Sequence, residues 1–252
     1  MINPANGYDA KNMSALPSQP RVPLLPGRPT VPALHTGDHL TSHEFERRYQ
    51  AMPHVNKSQL IEGRVHMPSP VRFASHGSPH ADLMGVLFIY RLNTPGVHVA
   101  DNTTLRLDPD NNLQPDAMLL IDPSLGGRSR LSEDDYIEGA PELVVEIASS
   151  SVAIDVHEKR NAYRRNGVQE YLVWRVEDEA VDFYQLVEQD YVRLAPDEQG
   201  VVRSVVFPGL WLDVVALVGR DLPRVLATLQ QGLASNEHSA FVARTSARSI
   251  ST

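Results

Sequence analysis

The stretch PELVVEIAS, residues 141–149, decides how this chain folds, because it sets a carboxylate, Glu146, inside a run of Leu143, Val144, Val145 and Ile147. A continuous apolar run of this length is the pattern of a strand covered on both faces. Such a strand has no water to offer a charge. Glu146 therefore lies at a strand end in solvent, or it is buried and protonated, paired with a cation or bound to a metal.

The segments around it read as alternating helices and strands. VAIDVHEKRNAYRRNGV, residues 152–168, has a helical pattern, with Ser149, Ser150 and Ser151 as candidate caps and Asn166 and Gly167 as a stop. Upstream, the spacing predicts a short helix over 41–52, a strand or hairpin over 59–67, and a helix over 80–93 with a stripe of Leu83, Val86, Leu87 and Tyr90. Extended runs follow at 98–108 and 116–122, and SLGGRSRLSEDDYIEGAP at 124–141 reads as a mobile loop from its glycines and charges. Downstream, EYLVWRV, AVDFYQLV, YVRLA and VVRSVVF are strand-like, and LPRVLATLQQGL at 222–233 closes as a helix. This order predicts an α/β or α+β fold with a mixed central sheet flanked by helices.

Prolines recur at nearly every third position from Pro17 to Pro32, which favours extended polyproline conformations and predicts a disordered arm over 1–37. The far end, 234–252, is small and polar without apolar period and reads as a flexible tail. One domain over 38–233 lies between them. With 252 residues and 42% hydrophobic content a sizeable core is available. The absence of cysteine excludes disulfides and thiolate chemistry and fits a cytoplasmic location, and neither a leader nor a membrane-length apolar run is expected. The net charge of −8 argues against a globally basic nucleic-acid binder but permits a local basic patch.

Asp116 follows Pro115 at the start of a strand, Glu146 lies in a later strand, and Lys159 lies on the helix after it. Two carboxylates supply hard oxygen ligands for an ion such as Mg²⁺, and a lysine adds positive charge beside a phosphorus centre under attack. Asp155, Lys159 and Tyr163 fall at four-residue steps on one helix face, while Lys159, Arg160, Arg164 and Arg165 concentrate cations suited to a phosphate backbone. A plain Asp155 to Lys159 salt bridge on a solvated helix explains the same spacing about as well. For Asp116 alone, a turn residue after proline is the simpler reading. His54, His66, His76 and His80 make the early region histidine-rich, but no third ligand in a zinc pattern accompanies them, so His76 reads as a surface residue.

With these residues in place, the chain resembles the Uma-type restriction-endonuclease family of the PD-(D/E)xK nuclease superfamily across residues 40–220. The resemblance is carried by PDAMLLI at 115–121, by GAPELVVEIASSSVAIDVHEKRNAYRRNGVQEYLVW at 139–174, and by LIEG at 60–63, His80 and PGLWLDV at 208–214. It implies a restriction-endonuclease-like fold and a Mg²⁺-dependent endonuclease, with Mn²⁺ as a possible substitute, that cuts DNA by metal-activated water. Asp116 and Glu146 would bind the metal and Lys159 would serve catalysis. Asp155 and Tyr163 would hold the lysine, His80 would support the site, Glu62 would be a reserve ligand, and Arg160, Arg164 and Arg165 would meet the nucleic acid. Homodimers are common in the superfamily. Two positions depart from the pattern: Ala148 stands where a lysine is usual, and Gln59 where an acid precedes the Leu-Ile pair. The alternative is a catalytically silent protein that kept the fold and binds nucleic acid or a protein partner.

Overall fold

The computed structural model describes residues 31–68, 70–149 and 152–249, with side chains to 246. Most of the expected arm, and Ser150 and Ser151 among the expected caps, lie outside the described residues. In chain order the elements begin with α1 (Ser42–Gln50), β1 (Gln59–Ile61), β2 (Arg64–His66), α2 (Ser78–Leu92), β3 (Val97–Asp101), β4 (Leu105–Asp108) and β5 (Asn111–Leu113). They continue with β6 (Ala117–Ile121), β7 (Ser129–Leu131), β8 (Ile137–Gly139), β9 (Leu143–Ala148), α3 (Arg160–Arg165), β10 (Glu170–Arg175), β11 (Ala180–Val187) and β12 (Asp190–Arg193). A hairpin, β13 (Val201–Arg203) and β14 (Trp211–Asp213), leads into α4 (Val214–Val218), α5 (Leu222–Leu233) and α6 (Asn236–Ser249). π-helical turns at Phe73–Gly77 and Ile154–Lys159 lead into α2 and α3.

The central sheet has the order β12-β11-β10-β9-β6-β3, parallel between β9 and β10 and antiparallel at its other pairs. Strand alternation divides its side chains between two cores. Ala117, Leu119, Leu143, Val145, Ile147, Leu172 and Trp174 face the stripe of α2 and Val225 and Leu229 of α5. Met118, Val144, Ala148, Tyr171 and Val173 face the other way, toward Tyr163 of α3 and toward Ile61, Leu105 and Leu113 of a second sheet ordered β2-β1-β5-β4-β8-β7. A sheet covered on both faces is why PELVVEIAS shows no polar alternation except at Glu146.

Three expectations are corrected. The expected loop at 124–141 carries β7 and β8, which pair with each other, and β8 also pairs with β4. The Glu142 carboxylate, accepting from the Ile121 and Arg128 amides at 2.8 and 2.9 Å, fixes the start of this excursion. The arm does not extend to 37, because the compact unit starts at Ala33 and Leu34 packs with Phe45, Leu60 and Val65. The tail is not loose over its described part: α6 buries His238, Phe241 and Thr245, a stripe in which a single large apolar residue anchors the helix. No helix among the described residues is long and apolar enough to cross a membrane.

Candidate active site

The site lies on the sheet face shared with α3. β6 and β9 pair antiparallel with Ala117 opposite Val145, so one step further Asp116 comes opposite Glu146. Pro115 has no amide hydrogen to extend the ladder, which suits a strand that starts just after it. In place of a backbone bond, the Ile147 amide donates to Asp116 Oδ2 at 2.8 Å. His76 Nε2 lies 3.2 Å from the same oxygen, and Lys57 Nζ lies 3.6 Å from Asp116 Oδ1. Burial of the Asp116 carboxyl alone would raise its pKa, but the His76 hydrogen bond and the charges of Lys159 and Lys57 outweigh it and hold the group well below the usual carboxylate range.

Glu146 is 1% exposed and both its oxygens are occupied: Lys159 donates to Oε2 at 2.8 Å and the Tyr163 hydroxyl to Oε1 at 2.7 Å. Of the opening alternatives for this residue, a solvent-exposed strand end is removed and a cationic partner is present. Lys159 is also 2.9 Å from Asp155 Oδ1, and the Asp155 carbonyl accepts from the Tyr171 hydroxyl at 2.9 Å. Burial pushes the Glu146 carboxyl up to about 7, with Lys159 opposing and Asp155 and Asp116 adding to the rise. Burial would lower the Lys159 pKa, but Asp155, Glu146 and Asp116 around it push it above its ordinary value. The ammonium is charged and caged.

Ala148, two residues beyond Glu146 on the same face, is fully buried in the core beside α3. The amine that a lysine there would supply comes instead from the π-helical turn at Ile154–Lys159. Gln59 faces the second sheet's ladder, where its Oε1 accepts from the Gln114 amide at 3.1 Å.

Asp116, Glu146, Asp155, Lys159 and Tyr163 are therefore brought together. His80 stands behind them, its Nε2 at 3.0 Å from the Asp116 carbonyl and 3.1 Å from Asp101 Oδ1. Glu62 is elsewhere: it sits in a left-handed turn at φ 52° and takes Arg165 in a two-pronged ion pair at 2.7 Å, so its expected role as a reserve ligand is not supported. The basic helix is likewise engaged within the chain. Arg160 lies 4.5 Å over the Tyr184 ring, Arg164 donates to the Gln189 carbonyl at 2.7 Å, and Arg165 holds Glu62. Spacing showed the cations but not what stands opposite them. Two residues at the acid pair are not marked by the sequence pattern. His76 is expected at the surface but contacts Asp116, and its four-residue relation to His80 is the signal that points there. Lys57, in the polar stretch VNKSQ, gave none.

Among the described residues no three His, Cys, Asp or Glu side chains come together as a metal-binding group. The donor set at the site is the Asp116 and Glu146 pair, hard oxygens on neighbouring strands, with lone pairs beyond those the hydrogen bonds use. That chemistry fits Mg²⁺, which takes one or two carboxylates and keeps water or phosphate oxygens in its other positions. It does not fit an all-protein cage.

A family model described as "Putative restriction endonuclease" matches residues 43–215. The chain belongs to the Uma2 family. A crystal structure of a "putative nuclease belonging to DUF820" from Anabaena variabilis superposes on this Uma2 protein with a TM-score of 0.51 at 17% identity, covering 68% of this chain and 97% of that one. The likeness places the mixed sheet and its flanking helices in the restriction-endonuclease-like fold. No curated protein matches the chain.

Proposed function

We propose that this Uma2 protein is a metal-dependent endonuclease that hydrolyses DNA phosphodiester bonds with metal-activated water. The observation that carries the reading is the convergence of Asp116, Glu146 and Lys159 on one buried sheet face, supported by membership of a family described as "Putative restriction endonuclease". Burying Asp116, Glu146 and Asp155 together costs stability, and the shifted Asp116 and Glu146 carboxyls are of the kind that concentrates at functional sites.

Asp116 and Glu146 would hold Mg²⁺, with Mn²⁺ able to replace it. The ion supplies Lewis-acid polarisation of the phosphate and lowers the pKa of a bound water. The protein's part is preorganisation. The Ile147 amide and His76 fix one oxygen of Asp116 and leave the other turned toward Lys57. Lys159 and Tyr163 fix the rotamer of Glu146 and favour its ionised form, and Asp155 holds the Lys159 amine from the far side. Lys159 also contributes a fixed positive charge close to where negative charge develops on the phosphate. A cytoplasmic location and a homodimer are consistent with this reading.

The second reading, a nuclease-fold protein that binds without cutting, draws on Gln59 and on the internal partners of Arg160, Arg164 and Arg165. Plasmid nicking with Mg²⁺, Mn²⁺ and EDTA separates the two. Metal-dependent cleavage that disappears in Asp116→Ala and in Glu146→Ala supports the endonuclease. Cleavage kept by both variants removes the assignment, and DNA binding without cleavage in any metal favours the silent binder.

A further inference from the structure

Resting on the nuclease reading, we propose that Lys57 is the residue that grips the phosphate backbone of the DNA at this site. The lysine expected from the helix cannot easily do so. Lys159 is 6% exposed and is clamped by Glu146 and Asp155 at 2.8 and 2.9 Å. Pulling it outward breaks two charge-assisted hydrogen bonds in a low-dielectric setting. Arg160, Arg164 and Arg165 are committed to Tyr184, to the Gln189 carbonyl and to Glu62.

Lys57 differs from each of them in combining access with position: its side chain is 26% exposed, and its amine stands beside Asp116, whereas Arg164 and Arg165, at 30% and 49% exposed, face Asp190 and Glu62. The 3.6 Å to Asp116 Oδ1 is an ion-pair distance and too long for a hydrogen bond. Its hydrogen bond goes to Asn102 Oδ1 at 3.1 Å. Asn102 is itself fixed, at φ 49°, by its amide donating to the Asp116 carbonyl and by its own carbonyl accepting from Gln114 Nε2 at 2.7 Å. An ammonium carries three donors, so Lys57 is aimed by Asn102 while donors remain for phosphate oxygens. Charge points the same way. A phosphate approaching Asp116, Glu146 and Asp155 meets a negative cluster that Lys159 alone does not neutralise, and Lys57 places a second, partly exposed ammonium beside Asp116. His76, 16% exposed, holds the other oxygen of Asp116.

The test is binding of a fluorescein-labelled DNA duplex by fluorescence anisotropy in EDTA, over a salt series, for the wild-type chain, Lys57→Ala and Lys57→Arg, with nicking kinetics in Mg²⁺ alongside. Loss of one phosphate contact lowers the slope of log K against log salt by about 1. It weakens binding about fivefold at low salt, raises KM more than it lowers kcat, and is restored by Lys57→Arg. The melting temperature of Lys57→Ala should stay close to wild type, because the contact is long at 3.6 Å and the buried Asp116 keeps its hydrogen bonds from the Ile147 amide and His76. If Lys57→Ala keeps the wild-type slope and affinity while the wild type binds and cuts, the Lys57 assignment falls and the nuclease reading stands. If the slope drops as expected but no metal supports cleavage, the nuclease reading falls and Lys57 remains a phosphate contact. A wild-type chain that does not bind the duplex overturns the Lys57 assignment.

Discussion

Replacing Lys159 by Met tests the centre of the site most directly. Met keeps much of the side-chain volume and removes the charge, leaving Glu146 and Asp155 buried without their shared cation. Each contact, at 2.8 and 2.9 Å, is worth roughly 6 kcal/mol of gross Coulomb attraction at an effective dielectric of about 20, which the ammonium's own desolvation largely offsets. What remains on deletion is the cost of stranded carboxylates, about 3 to 5 kcal/mol. The loss must depend on pH. Glu146 sits near 7 with Lys159 present, and without it the carboxyl rises further above the unfolded value of 4.5. A group with a raised folded pKa stabilises below the unfolded value and loses that contribution as pH rises. Lys159→Met should therefore be most destabilised near pH 8 and approach wild type near pH 5, where a proton on Glu146 replaces the ammonium. Urea unfolding followed by the fluorescence of buried Trp174 reads the difference. Adding Glu146→Gln to Lys159→Met should recover part of the stability at pH 8 without restoring nicking. A loss under about 1 kcal/mol that is flat with pH would refute the caged ammonium.

Tyr163→Phe removes a buried donor to Glu146 and should lower stability by about 1.5 to 3 kcal/mol in urea unfolding, with reduced nicking; an unchanged unfolding midpoint contradicts the 2.7 Å bond. Glu170, held by Ser204 and the Val205 amide, is pushed by burial up to about 7 from 4.5, so it should cost up to ~3 kcal/mol of stability as pH rises from 4.5 to 7. Glu170→Gln should flatten that slope in unfolding titrations, and an equal slope in both proteins would show that other groups carry it. Gly167→Ala should lower the melting temperature, because φ is +78° and the new Cβ would lie 3.2 Å from an Arg128 nitrogen. Leu119→Ala in the fully buried centre of β6 should cost about 2 to 5 kcal/mol in urea unfolding, and a smaller loss would mean the site collapses around the cavity.

The acid pair was legible because a burial pattern and its violation sit in the same string: a carboxylate among Leu143, Val145 and Ile147 has few physical explanations. Asp116 was legible through its proline and strand, and the β6 to β9 register then makes it the cross-strand neighbour of Glu146. Lys159 needed the family pattern, since thirteen residues separate it from its partner and helix spacing alone fits a surface pair. What was hidden depends on contacts distant in sequence. Glu62 reads as an acid near a strand, and only the fold brings Arg165 to it from 103 residues away. The strands β7 and β8 lie among glycines and charges, and their pairing with each other, and of β8 with β4, is not written in any local period. For α6, the buried stripe of His238, Phe241 and Thr245 has too little apolar area to register as amphipathic in sequence.

The placement of the lysine off the strand, with Ala148 packed in its stead, divides the site between two pieces of the fold. The sheet side holds Asp116 and Glu146, and the π-helical turn at Ile154–Lys159 brings Asp155 and the amine that makes Glu146 tolerable there. Until the turn docks, Glu146 lacks its cation; once it docks, the acids and the amine stand together. Docking of the turn and pairing of Glu146 are then a single event, and a chain with the turn detached would lose the cation that offsets this carboxylate's burial.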